Sequence, residues 1–257
     1  IGIAGEKDPG EQFFRGSQPN GFDHYAGYIS LHRLGWLETL TVGHFRAGFG
    51  QGLTMGSGMS ISNAPGLSHT HLSEGIRPST GLSEDNYLRG IAFTLKFNKL
   101  KISALGSYHP RDAAVQTNPD NPKGYFTSFQ ETGYHRTPAE HSKKGSVREI
   151  TGGVHLDFSH SPGSRWGFRL GVSGFFIQYS IPMHHEEEPY KRFAFEGSRE
   201  LVAGADYQFR SRFLHLFGEL SRTSCGAIAT LHGLSFAPDA RWSALFIFRH
   251  YPPEFIN

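Results

Sequence analysis

One cysteine, Cys225, is present, which excludes an internal disulfide framework. No run of 18 or more apolar residues occurs, so no transmembrane helix is available. An excess of charge of one sign is also missing. A net +2 over 257 residues is too small to imply nucleic acid or an acidic lipid surface as a partner. Hydrophobic side chains total only 37% and mean hydropathy is −0.39. Neither figure excludes a membrane, because a transmembrane barrel turns only alternate residues toward lipid and averages like a soluble chain.

Aromatics and glycine are plentiful, with 22 Phe, 10 Tyr and 32 Gly. That combination suits many strands, tight turns and aromatic girdles. Apolar residues recur with a period of two, the spacing of a strand with unlike faces. Over 148–158, Ile150, Gly152, Val154, Leu156 and Phe158 share one face, against Thr151, Gly153, His155 and Asp157. After a turn at 160–164, Trp166, Phe168, Leu170, Val172, Gly174 and Phe176 oppose Arg165, Gly167, Arg169, Gly171 and Ser173. A soluble sandwich alternates too. Glycine and charge on the second face favour a barrel with a polar interior. The pattern recurs where Ile91, Phe93 and Leu95 oppose Ala92, Thr94 and Lys96. It recurs again where Leu201, Ala203 and Ala205 oppose Gly204 and Asp206, and where Leu216 and Leu220 oppose Glu219 and Ser221. Segments 37–49 and 227–236 read as strands without a clear assignment of faces.

Connections alternate in length. Short turns near 34–36, 98–99, 159–164, 210–212 and 238–239 separate long polar loops at about 51–86, 110–147 and 181–198 and a shorter one at 223–226. Outer-membrane barrels have short periplasmic turns and longer extracellular loops. The expected strands are 22–34, 37–49, 86–98, 100–110, 147–159, 164–179, 197–209, 212–222, 226–236 and 240–250. Most exceed the ~5–6 residues of soluble strands and reach the ~9–11 of a tilted span. The expectation is therefore an all-β fold: an antiparallel transmembrane outer-membrane β-barrel, a single domain over 1–257 with about ten strands visible. The first strand starts, and the last ends, on the long-loop side. The chain is accordingly expected to be a fragment of a larger barrel, lacking strands at both ends.

Four segments in order, GEKDPGEQFF…GFDHYAGYISL, VGHFRAGFGQGLTMGSG, GIRPSTGLSEDNYLRGIAFTL and FIFRHYPPEFIN, resemble the C-terminal barrel region of Bacteroidota helix-hairpin-helix domain-containing proteins. The resemblance runs from Gly5 to Asn257 and rests on aromatic-glycine strand motifs rather than on a catalytic signature. It implies an outer-membrane location and a barrel that follows a periplasmic helix-hairpin-helix region absent here. A link to DNA handling would run through that region, with no direct nucleic acid contact in this part. The resemblance also implies that the tail after RHYPPEF continues into further strands.

Candidates for chemistry are few. Lys96, His155, Asp157, Arg165, Arg169, Asp206 and Glu219 are expected to face the lumen, where such charges plug a narrow barrel or line a wide one. Adjacent His184, His185 and Glu186 in an outer loop could ligate a metal, although a solvated charged loop needs no metal to explain it. His69 and His71 would supply half a site. His155, Asp157 and Ser159 alternate along one strand and invite comparison with a hydrolase; that spacing makes them neighbours rather than convergent, and no catalytic residue is assigned. Cys225 has no evident base partner, which favours an inert thiol. The run GFGQGLTMGSG lacks the GK[ST] ending of a phosphate-binding loop and reads as a glycine-rich strand end where the backbone bends or approaches another.

The functional expectation is a non-enzymatic outer-membrane barrel, porin-like, acting as a channel or as a scaffold or anchor for periplasmic or surface partners. Its surroundings would be outer-membrane lipid, with lipoprotein or secretion/uptake-complex partners, and no cofactor is expected. The alternative is an outer-membrane barrel hydrolase acting on lipid or peptide.

Overall fold

The structure, a computed structural model, describes residues 1–7, 13–14, 21–56, 75–81, 87–118, 121–130, 132–163, 165–185, 188–239 and 241–256. Among them one sheet of 14 strands dominates. Its continuous path runs β1 (Gly2–Glu6), β2 (His24–Leu34), β3 (Leu37–Gly48), β5 (Leu88–Phe97), β6 (Leu100–Arg111), β9 (Val147–His160), β10 (Trp166–Met183), β11 (Gly197–Ser211), β12 (Leu214–Thr223), β13 (Ile228–Phe236) and β14 (Ala244–His250). Off this path, β4 (Gly75–Pro78) pairs with the end of β3, and β7 (Ala113–Asn118) forms a hairpin with β8 (Asn121–Phe129). Every pairing is antiparallel except one bridge, Met183 to Phe126, where β8 touches β10 in parallel. The path ends at β1 and β14, which do not pair with each other, so the sheet is not closed. No helix among the described residues is long and apolar enough to cross a membrane. The four-residue helix α1 (Pro138–His141) is held by a Thr137–Glu140 capping box.

All ten expected strands are present. The expectation passed over β1, β4 and the β7–β8 hairpin, which lie in stretches read as an opening segment or as loops. The tail at 251–256 forms no strand; Tyr251 and Phe255 pack against Leu53, Phe217 and Leu231 instead.

The sheet curls. Gln51 lies three residues beyond the end of β3, yet its N–H reaches Glu219 on β12. Along the sheet, six strand spacings separate β3 from β12, about 29 Å at ~4.8 Å each. Three extended residues cover at most about 10 Å. The short reach is possible only if β3 and β12 face one another across the inner side.

Burial is reversed relative to a soluble sheet. On β9, Val154, Leu156 and Phe158 are 48%, 43% and 40% exposed, while His155 and Asp157 are 3% and 7% exposed. The same reversal holds on β10 (Leu170, Val172 and Phe176 outward, Ser173 inward), on β11 (Leu201 outward, Asp206 inward) and on β12 (Leu220 outward, Glu219 inward). The period-two reading assigned these faces correctly. The three tryptophans, Trp36, Trp166 and Trp242, all sit at the short-turn end and are 74%, 42% and 54% exposed. Phe97, Phe158 and Phe236 join them there, and Tyr25 and Tyr108 are exposed toward the other end.

Inner-face residues fall into rows set by the register. A charged row runs Lys96, Lys101, Asp157, Gly171, Asp206, Glu219. Beside it runs a row of five hydroxyl groups, one imidazole and one glycine: Thr39, Thr94, Ser103, His155, Ser173, Gly204, Ser221. The next row, Thr41, Ala92, Leu105, Gly153, Phe175, Val202, is mostly apolar. It provides the surface on which residues 49–56 pack.

Candidate functional site

The charged row is knitted into pairs. Arg169 on β10 sits between two carboxylates, with Nε 3.1 Å from Asp157 and an outer guanidinium nitrogen 3.0 Å from Asp206. Cross-strand opposite charges of this kind stabilise a sheet, and a buried carboxylate without a partner would be costly. Gly171 lies between the two aspartates in the register, and a Cβ there would overlap the Asp206 carboxylate. Glycine is therefore what lets the three charged groups converge. Toward the short turns, Glu38 receives Lys101 at 2.9 Å and Lys96 at 4.0 Å.

His155 donates to or accepts from the Ser173 hydroxyl at 2.8 Å through Nδ1, while its Nε2 is 4.0 Å from Asp157. Phe49 stacks on the imidazole with centroids 4.5 Å apart and planes 19° from parallel.

Glu219 has a different partner set. Residues 49–56 turn inward from the end of β3 and form a strap closed on itself, with Phe49 N–H donating to the Met55 carbonyl at 2.9 Å. Its backbone wraps the Glu219 carboxylate. Gln51 N–H donates to Oε2 at 2.5 Å, Leu53 N–H to Oε2 at 3.1 Å and Thr54 N–H to Oε1 at 2.8 Å. The Thr54 hydroxyl adds a bond to Ser221 at 3.0 Å. Successive N–H groups aimed at one anion form a nest. Here Gly50 (φ +60°) and Gly52 (φ +85°) supply the left-handed turns it needs. A Cβ on Gly50 would lie 2.6 Å from Glu219 Oε2, so the carboxylate requires glycine there twice over. Phe49 and Met55 anchor the strap among Phe45, Ala92 and Leu105, and Leu53 anchors it on Phe217 and Leu231. The glycine-rich run is thus a bend that approaches another strand, as its composition suggested, and the anion it cradles is the protein's own.

Between the strap and the short turns lies a cavity of about 750 Å³, with Glu38, Lys101, His155, Asp157, Arg169 and Phe49 in its wall. Glu38 is paired with Lys101 and Asp157 with Arg169, and Arg33 adds a further cation to the wall.

Of the residues expected inside, His155, Asp157, Arg169, Asp206 and Glu219 meet in this region, and Lys96 stands at its short-turn margin. Arg165 does not join them. It lies in the turn before β10 and is exposed, because the turn lifts it out of the strand's alternation. Ser159 lines the cavity, but the hydroxyl on His155 belongs to Ser173, one strand over. Lys101, Glu38 and Ser173 were missed as site residues, although a lysine or serine on the glycine-and-charge face carried the same signal. His184 and His185 flank Glu196, with His184 Nδ1 3.5 Å from the Glu196 carboxylate in an exposed pair and the His185 N–H 3.4 Å from it. Glu186, His69 and His71 lie outside the described residues, and among those described no group of three His, Cys, Asp or Glu side chains is spaced to hold a metal. Cys225 is exposed, with Sγ 3.0 Å from the Thr223 hydroxyl and 3.5 Å from the Glu254 carbonyl.

No family model, no curated protein and no solved structure matches this chain.

Proposed function

We infer that the chain forms wall strands of an outer-membrane β-barrel that serves as a scaffold or a gated channel, with the strap at 49–56 standing in its lumen. The observation that carries this reading is the reversal of faces. Val154, Leu156, Val172, Leu201 and Leu220 are exposed on one side of the sheet, while His155, Asp157, Asp206 and Glu219 are buried on the other. In water that arrangement would expose a large contiguous apolar surface, which soluble monomers avoid. Lipid removes the difficulty, and exposed tryptophans at one margin suit the interfacial girdle of such barrels. Among the described residues β1 and β14 each keep an edge without a strand partner, and in hydrocarbon those edges would have to be paired. The strap favours an occupied lumen over a freely open pore.

The test is reconstitution in a planar bilayer. An occupied lumen predicts small or absent steady conductance from the native protein, and a larger one when residues 50–55 are replaced by a short serine linker. A wide steady pore in the native protein would retire the occupied-lumen version. Extraction from membranes without detergent would retire the barrel itself.

A second reading, a barrel hydrolase, is favoured by one contact, the 2.8 Å bond between His155 and Ser173. The 4.0 Å gap to Asp157 and the engagement of that carboxylate by Arg169 argue against it. Covalent labelling by a fluorophosphonate, lost in Ser173→Ala, would revive this reading; absence of labelling would close it.

A further inference from the structure

A second recess lies at the long-loop end, away from the charged row. Its volume is about 180 Å³, and its wall includes Tyr87, Arg89, His24, His109, Asp23 and Asp112. At roughly 30 Å³ per water it holds about six waters, enough for one small ion with part of its hydration.

The recess is rich in nitrogen donors, and its carboxylates are already engaged. Asp23 takes His135 Nδ1 at 2.5 Å and also Lys144; Asp112 takes His135 Nε2 at 2.5 Å and the Gly145 N–H at 2.7 Å. Both His135 nitrogens thus face carboxylates, which requires an imidazolium. Burial opposes that charge, but the bonds to Asp112 and Asp23 outweigh it and raise His135 to about 9. Arg111 is held by Glu149 at 3.1 Å and lies over the Phe129 ring. Arg89 has no ion partner among the described residues, though it lines the recess.

Three imidazoles surround Tyr87. Ring centroids of His44 and His109 are each 4.5 Å from the phenol ring, and that of His24 is 5.4 Å away. His109 is 5% exposed and makes no hydrogen bond among the described residues. His44 Nδ1 lies 2.9 Å from the Gly27 N and 3.0 Å from the Gly27 carbonyl oxygen. Its Nε2 is buried and has no hydrogen-bond partner among the described residues. A guanidinium with no ion partner among the described residues, set beside buried imidazoles, suits an acceptor with several oxygens, and a cation is disfavoured by Arg89, Arg111, Lys144 and His135 around the same space.

We propose that this recess is a binding site for a tetrahedral oxyanion, a phosphate or sulfate group, with Arg89 as its charged partner and the imidazoles of His109 and His24 as its neutral donors. The group is either a free ion or the headgroup of a phosphorylated lipid.

Two measurements on the full chain in detergent separate the sources. One is titration with inorganic phosphate and with sulfate by calorimetry; the other is mass spectrometry of phosphorylated lipid retained through purification. Arg89→Gln is the variant and Arg89→Lys the charge-retaining control, since the exposed side chain leaves the sheet intact. For a free ion, phosphate binds the native protein and at least 10-fold more weakly to Arg89→Gln, with partial recovery in Arg89→Lys. For a lipid headgroup, phosphate is silent while retained lipid falls at least several-fold in Arg89→Gln. If the native protein neither binds phosphate or sulfate nor retains phosphorylated lipid, or if Arg89→Gln matches it in both measurements, the proposal is overturned. The free-ion arm holds whether or not the sheet lies in a membrane.

Discussion

Val172→Arg separates a lipid-facing surface from a water-facing one. Val172 is 58% exposed on the outward face of β10, with Leu170 on the same face. It stands six residues from Trp166 and six from Gln178, and the Gln178 row carries Ile150 and Tyr108 across the sheet. Six residues cover about 20 Å of strand, or roughly 15 Å along the normal for a strand tilted by ~40°. Val172 therefore sits near the middle of a hydrocarbon layer about 30 Å thick. An arginine there costs roughly 2–4 kcal/mol, falling to ~0–1 near the interface. On a surface facing water the same change would cost within about 0.5 kcal/mol. Urea titration of the protein folded into phospholipid vesicles, followed by tryptophan fluorescence, reads the difference, with Gln178→Arg as the interfacial control. A Val172→Arg stability within about 0.5 kcal/mol of the native protein, against that ~2–4 kcal/mol range, would refute the reasoning.

Three further outcomes follow from the inner face. Glu219→Gln keeps one acceptor oxygen where two now take three N–H groups; losing one charge-assisted bond at ~1.5–3 kcal/mol should speed amide exchange at Gln51, Leu53 and Thr54 by about 10- to 100-fold, and unchanged rates would show that the carboxylate does not hold the strap. Gly171→Ala drives a methyl into the Asp206 carboxylate and to 2.7 Å from His155 Cε1, so unfolding should shift by about 1–3 kcal/mol, while Gly174→Ala, which meets nothing within 4 Å, should be neutral in the same titration. His135 is raised to about 9, so its contribution is complete below the ordinary imidazole value, fades as pH climbs from there to about 9, and is gone above. Proteolysis within 132–146, normalised to a denatured reference, should be slowest at about pH 6, accelerate progressively toward about pH 9 and level off above it; a flat profile across that range would contradict the Asp23–His135–Asp112 bridge.

Much of this sheet was legible because alternation is a local property. Ile150 to Phe158 and Trp166 to Phe176 state their faces within a single strand, and the register only confirms which neighbours they meet. Lys96, Asp157, Asp206 and Glu219 were visible as charges opposite apolar residues. That they share one row was not visible, because register depends on the turns between strands. The strap was hidden for a similar reason. Gly50 and Gly52 announced a bend, but the partner of their backbone lies on β12, more than 160 residues away. Arg165 shows the reverse failure, since its parity with Arg169 is real only inside the strand and it lies outside. The β7–β8 hairpin did carry a signal, Asn118-Pro119-Asp120-Asn121-Pro122 between two β-prone runs, which a loop assignment covered over. Strands β1 and β4 are too short to show any period.

The central claim is that the outward face meets lipid, and a spin-label scan tests it most directly. In a Cys225→Ser background, single cysteines at Leu156, Val172, Leu201 and Leu220 carry nitroxides on the outward face, and one at Ser159 reports from the inner cavity. After reconstitution into phospholipid vesicles, each label is challenged with oxygen, which concentrates in lipid, and with a water-soluble paramagnetic complex. The account predicts that the four outward labels collide preferentially with oxygen and the Ser159 label with the aqueous reagent. Preferential collision of the outward labels with the aqueous reagent would contradict it.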